Sequence, residues 1–198
     1  MMKRLLTVLL ITLFVMLSSV VFAAERVPLG AGNLALKVDY INFTDGDMEN
    51  LDVDSGLYVG IEAYSCLTDI APNFYIGMEV GYSNIDGDVD ISGRNRDTEA
   101  TFVPIELNLK YAMNIAPNLG IDLGAGPSIN YAKIEAPRST FGTEDDWLWG
   151  GQAFVDLNLK LNQFFLGINV KYQVMENFED TDVSFRNWRI GGQAGIMF

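Results

Sequence analysis

The chain closes on a strand in which every second residue is apolar or small. Trp188, Ile190, Gly192, Ala194, Ile196 and Phe198 share one parity, and Arg189, Gly191, Gln193 and Gly195 share the other. Side chains alternate between the two faces of a strand, so this spacing predicts a sheet with one apolar and one polar surface. The pattern recurs upstream, giving eight segments at about 33–43, 55–66, 74–83, 100–111, 119–131, 149–160, 164–175 and 187–198. Each is close to the 9–11 residues that a tilted strand needs to cross the hydrocarbon core of a bilayer. Beyond the N-terminus no run approaches the roughly 18 apolar residues of a membrane helix. Such a chain satisfies its backbone in lipid only as a closed barrel. The expected fold is therefore all-β, an eight-stranded antiparallel up-and-down transmembrane β-barrel.

The N-terminus reads as a processing segment. Lys3 and Arg4 are followed by an apolar stretch over 5–17, interrupted only by Thr7 and Thr12, and then by Val21-Phe22-Ala23. This predicts a signal peptide over 1–23, cut near Ala23 or Ala24, and export to the periplasm. Residues 24–198 are then a single domain by length. The formal net charge is −13, and more acidic still without Lys3 and Arg4, which argues against nucleic acid as a partner. Cys66 is the one cysteine, so an intramolecular disulfide is excluded.

The connections alternate in length. Short turns are expected at 67–73, 112–118 and 161–163, and long polar loops at 44–54, 84–99, 132–148 and 176–186. Outer-membrane barrels show this asymmetry, with the short turns periplasmic. Ile70-Ala71-Pro72-Asn73 repeats as Ile115-Ala116-Pro117-Asn118. The repeat reads as two equivalent periplasmic turns rather than a propeller blade, because no blade motif accompanies it.

The apolar parity carries no charge in any of the eight segments, although 20% of the chain is charged. Lipid explains this exclusion, since Arg or Lys at mid-bilayer costs about 2–4 kcal/mol; the core of a soluble barrel would also explain it. Two features favour lipid. Aromatics gather at the segment ends on this face (Tyr40, Phe74, Tyr82, Tyr111, Trp149, Phe164, Tyr172, Trp188 and Phe198), as in interfacial girdles. The opposite parity is rich in glycine, as a narrow lumen with small residues beside large ones requires. Pro104 cannot donate to a ladder, which places it near the outer rim, at a bulge.

On these residues the chain resembles the small eight-stranded outer-membrane barrels, the OmpA transmembrane-domain and OmpX-like group of the outer membrane protein β-barrel domain family. The resemblance is carried by Thr101-Phe-Val-Pro-Ile-Glu-Leu-Asn-Leu-Lys-Tyr111, by Leu119-Gly-Ile-Asp-Leu-Gly-Ala-Gly126 after the Ala-Pro-Asn turn, and by Gly195-Ile-Met-Phe198. It implies an integral location in the outer membrane of a Gram-negative bacterium. The implied partners are outer-membrane lipid, lipopolysaccharide and the barrel-assembly machinery, which would read Ile196 and Phe198 as a C-terminal signal.

The polar parity holds six acids (Asp39, Glu62, Glu79, Glu106, Asp122 and Asp156) and five bases (Lys37, Lys110, Lys160, Lys171 and Arg189), so a nearly neutral lumen is expected. Buried charges must pair. They form either a plug or a polar pathway, and the interior width of eight strands favours the plug.

The chain contains no histidine. The outer-membrane lipases, lipid A-modifying enzymes and omptin-like proteases that the resemblance brings to mind place one in the active site. No enzymatic activity, catalytic residue, cofactor or metal site is expected. Asp86-x-Asp88-x-Asp90 begins like a calcium loop, but Ile91 stands where that loop needs glycine. The four loops are acidic and are expected to be solvated surface, with Phe141, Trp147 and Phe178 near them available to a partner or to rim packing. The expectation is a monomeric, non-enzymatic barrel that stabilises the envelope and presents acidic loops for surface interaction or adhesion. The alternatives are a narrow channel for small or apolar solutes of OmpW-like type and a soluble periplasmic binder of lipocalin type.

Overall fold

The computed structural model describes residues 28–67, 71–90, 95–136, 142–178 and 183–198. Within them lie β1 (Gly32–Phe43), α1 (Gly46–Asn50), β2 (Ser55–Leu67), β3 (Ala71–Asp90), β4 (Asn95–Ala116), β5 (Leu119–Glu135), β6 (Thr143–Leu161), β7 (Phe164–Met175) and β8 (Asn187–Met197). Each strand pairs antiparallel with the next, and β8 returns to β1, closing the barrel. At the seam Gly32 and Phe198 exchange backbone hydrogen bonds of 3.0 Å in both directions. Closure leaves no strand edge in the spanning region, as lipid requires.

The apolar parity faces outward. Leu36 is 61% exposed and Ile168 is 63% exposed. The band is flanked by rings of aromatics, with Tyr40 against Trp188 at a centroid distance of 5.6 Å toward one end and Phe74 against Tyr111 at 5.0 Å toward the other. A lipocalin-type barrel turns its apolar parity inward; this one does the reverse.

The central strands run further than expected. Most of 84–99 and 132–148 is strand, not loop: β3 and β4 continue their pairing to Asp90 and Asn95, and β5 and β6 to Glu135 and Thr143. Above the girdle the outward parity meets water and becomes polar, which hid the strand. The inward parity stays apolar there, through Ile85, Ala100, Phe102, Ala132, Ile134 and Leu148.

The first loop is not a solvated strip either. Asp45 caps α1 by accepting from the Asp47 N–H at 2.9 Å, and it also accepts from the Ser184 N–H at 3.2 Å, which ties this loop to the segment before β8. Met48, Leu51 and Val53 turn into the barrel mouth beside Phe178, Val183 and Phe185. Of the aromatics left between a partner and rim packing, Phe178 is buried in the mouth, while Trp147 is exposed and packs on Tyr131 at 5.5 Å. Phe185 sits among Phe43, Phe102 and Phe178, with centroids 5.1 to 5.9 Å away. Phe141, Arg94, Glu179, Asp180 and Asp182, together with residues 1–27, lie outside the described residues.

The short-turn end is also closed. Leu29 enters the barrel and packs with Tyr64, Tyr75, Ala112 and Phe154. Its N–H donates to the Tyr75 hydroxyl at 2.9 Å, and that hydroxyl donates to the Gly30 carbonyl at 2.9 Å. The two Ala-Pro-Asn copies are not equivalent turns. Pro117 and Asn118 form the turn between β4 and β5, whereas Ala71, Pro72 and Asn73 already belong to β3. Pro104 lies beside the outer girdle without a bulge: the β3–β4 register is unchanged from Val80↔Ile105 to Ser83↔Phe102.

Gly30 has φ +70°, and a Cβ there would meet the Phe198 carbonyl oxygen at 2.7 Å. Gly30→Ala is expected to destabilise the barrel by about 1–2 kcal/mol through the left-handed backbone alone. Gly46→Ala, where a Cβ meets nothing within 4 Å, is the control. Equilibrium urea unfolding in lipid vesicles reads the difference.

Candidate functional site

The lumen places ten of the eleven sequence-selected charges in one buried layer between the two apolar ends. Asp39, Glu62, Glu79, Glu106, Asp122, Asp156, Lys37, Lys110, Lys171 and Arg189 are each at most 1% exposed. Lys160 is the exception. It stands half-buried at the short-turn rim, where its ammonium donates to Asn114 Oδ1. The expected near-neutral lumen is therefore two negative charges richer in acid than in base among the described residues.

The room for this layer comes from pairing glycine with aromatics on the inward parity. A Cβ on Gly81 would overlap the ring of Tyr58, one on Gly77 would overlap Tyr64, and one on Gly124 would overlap Phe154. Each ring in turn carries a cation. The Arg189 guanidinium lies 4.4 Å from the Tyr58 centroid and the Lys110 ammonium 3.7 Å from Tyr64. Lys37 and Lys171 flank Phe154 at 5.4 and 5.3 Å. Such contacts offset part of the desolvation of a buried cation. The inward glycines were legible in the sequence; which aromatics they receive depends on register.

The ion pairs cross the barrel. Lys37 lies 2.8 Å from Glu62 and 3.1 Å from Glu79. Lys171 lies 2.6 Å from Glu79 and also pairs with Glu106. Arg189 reaches Glu106 at 2.5 Å and Glu79 at 3.6 Å. Lys110 is more loosely held, 3.7 Å from Glu62 and 3.8 Å from Asp122. Uncharged groups that sequence reading did not single out complete the layer. The Tyr58 hydroxyl donates to Glu79 at 2.8 Å, Arg189 donates to Gln173 Oε1 at 2.8 Å, and Gln173 donates to Asn130 at 2.8 Å. Asn158 donates to Asp122 at 2.7 Å, and Gln152 to Asn108 at 2.6 Å. Their inward parity was readable, but their partners sit on other strands.

A second acidic feature lies outside the lumen at the long-loop end. Asp52, Asp86, Asp88, Asp97, Glu99 and Glu135 line an open cleft of about 450 Å³. Asp86 faces Glu99 and Asp88 faces Asp97 across the β3–β4 ladder, so like charges stand directly opposite. No group of three or more His, Cys, Asp or Glu among the described residues is arranged to hold a metal ion. Cys66 donates to the Pro72 carbonyl at 3.2 Å beside the short-turn end.

Removing one partner from a buried ion network leaves the others uncompensated. Arg189→Met is expected to cost about 3–5 kcal/mol. Lys160→Met at the rim is expected to cost less than about 1 kcal/mol. Urea unfolding midpoints of the two variants check this contrast.

Comparison with known proteins agrees with this architecture. Residues 8–196 match the family model described as outer membrane protein beta-barrel domain, and the chain belongs to that family. No curated protein matches the chain in sequence. Among solved structures, Neisserial surface protein A superposes with a TM-score of 0.59 at 14% identity, over 85% of this chain and 98% of that one. OprG from Pseudomonas aeruginosa gives 0.55 at 14%, over 85% and 98%. A major outer membrane protein from Thermus thermophilus gives 0.50 at 13%, over 85% and 100%. At these identities the likeness is one of fold. The protein is an integral outer-membrane β-barrel.

Proposed function

We propose that this member of the outer membrane protein beta-barrel domain family is a closed, non-enzymatic barrel that stabilises the envelope and presents acidic extracellular hairpins to partners. The observation that carries this reading is the sealing of the lumen. An ion-paired layer fills the middle, the Phe185 cluster fills the long-loop mouth, and Leu29 fills the short-turn mouth. An eight-stranded interior is just wide enough to be filled by side chains, and here it is filled by charged, aromatic and aliphatic groups in sequence.

The asymmetry of connections sets the short turns in the periplasm and the acidic cleft outside the cell. A cleft lined by Asp52, Asp86, Asp88, Asp97, Glu99 and Glu135 favours partners that bring positive charge. Residues 1–23 are assigned to export, leaving 24–198 as the assembled domain. Ile196 and Phe198 are assigned to recognition by the barrel-assembly machinery. Both face outward on the last strand, 41% and 36% exposed, where an assembly factor reaches them. The barrel acts as a monomer.

Single-channel recording of the refolded protein in a planar bilayer tests the closed lumen. The inserted wild-type barrel is expected to be silent. Stable openings that change when Glu62 or Arg189 is neutralised would replace this reading with that of a narrow channel.

A further inference from the structure

The acid excess inside the barrel is concentrated in one place. Asp122, Asp156 and Asn169 are successive register partners on β5, β6 and β7. Asn169 reaches past Gly191, its register partner on β8, and donates to Asp39 on β1 at 2.9 Å. The result is a row of side-chain oxygens along the inner wall. Both carboxylate oxygens of Asp156, Oδ1 of Asp122, Oδ1 of Asn169 and Oδ2 of Asp39 are buried and accept no hydrogen bond. Asp156 enters no ion pair among the described residues.

Lys37, Glu62, Lys110 and Lys171 lie close enough to act on Asp156, as does the like charge of its register partner Asp122. Lys37 and Lys171 are engaged with Glu79, and Lys110 lies between Glu62 and the far oxygen of Asp122, so none of the three pairs with Asp156. An anionic oxygen with neither a donor nor a counter-charge is the most costly state for a buried polar group, and uptake of positive charge relieves it.

We propose that the row Asp39–Asn169–Asp156–Asp122 is a binding site for a hard monovalent cation, a proton or an alkali ion, held in the lumen at Asp156 as one of the two missing counter-charges. The donors are all oxygen, with no imidazole or thiolate among them, which selects hard ions over transition metals. A divalent ion demands several converging carboxylates, and no such group of three stands among the described residues.

This inference rests on the closed-lumen reading, and the two fail separately: conductance of the wild type overturns closure, whereas the experiment below addresses only the counter-charge. The full-length barrel is refolded in phosphatidylcholine vesicles in sodium chloride or in choline chloride at equal ionic strength. Urea unfolding is measured for the wild type, Asp156→Asn and Asp122→Asn, together with infrared spectra of the carboxyl groups near neutral pH. If the site takes an alkali ion, each tenfold rise in sodium above its Kd moves the wild-type folding equilibrium roughly tenfold, and choline does not. Asp156→Asn loses that shift. If the site takes a proton, the midpoint ignores sodium, and the wild type shows a protonated-carboxyl band that Asp156→Asn or Asp122→Asn removes. A wild type with neither the sodium shift nor the band overturns the proposal, and this readout needs no variant to fold.

Discussion

A strand that crosses lipid can place charge on one face only. That constraint organises this protein. The outward parity is stripped of charge, and the barrel must close because no edge can be left unpaired in hydrocarbon. Every charged side chain of the spanning segments is thereby driven into a space barely wide enough for side chains. The ion network follows from this crowding. Lys37, Lys171 and Arg189 share Glu79, and Glu106 joins two of them, because there are few other places for these groups to go.

The same crowding explains the layering along the barrel axis. Charges occupy the middle, where their partners exclude water. Toward the long-loop end the inward parity changes character: Asp39 is followed by Ile41 and Phe43, and Gln173 by Met175. The chain beyond the girdle then turns inward to cover this apolar ring with α1 and Phe185. At the other end Tyr75 grips the backbone of Leu29 and Gly30. Neither closure is made of charge, yet Tyr58 in the one and Tyr64 and Phe154 in the other join it to the ion network through their rings.

Much of the fold was legible in the sequence, because period-two alternation is a local property. The eight segments, their order, the outward face and the girdles all follow from it. What was missed required non-local information. The ends of β3 to β6 read as loop because their outward residues become polar once lipid ends, and the apolar inward residues Ile85, Ala100, Ala132 and Ile134 are the signal that the strands continue. Met48 falls in an expected polar loop and Phe178 is left between a partner and rim packing, because nothing nearby in sequence shows that a mouth lies beneath them. Lys160 shares the inward parity with Asp156 but stands at the rim, since parity gives the face of a residue and not its depth. The eleven charges share one parity, while the pairings among them depend on register around the whole wall.

The seam between β1 and β8 also bears on how the molecule comes to be. Gly32 and Phe198 are joined by a pair of hydrogen bonds although nearly the entire folded chain lies between them. All other neighbouring strands are hairpins, which form at little entropic cost, whereas this one contact closes the longest loop the chain contains. It carries the largest closure entropy of the eight strand pairings, since pairing remote in sequence must be reached before it is rewarded. Until it forms, two strands present unpaired backbone to lipid. Those two edges, one near each end of the folded chain, are where an incomplete barrel is open to pairing with a strand that is not its own.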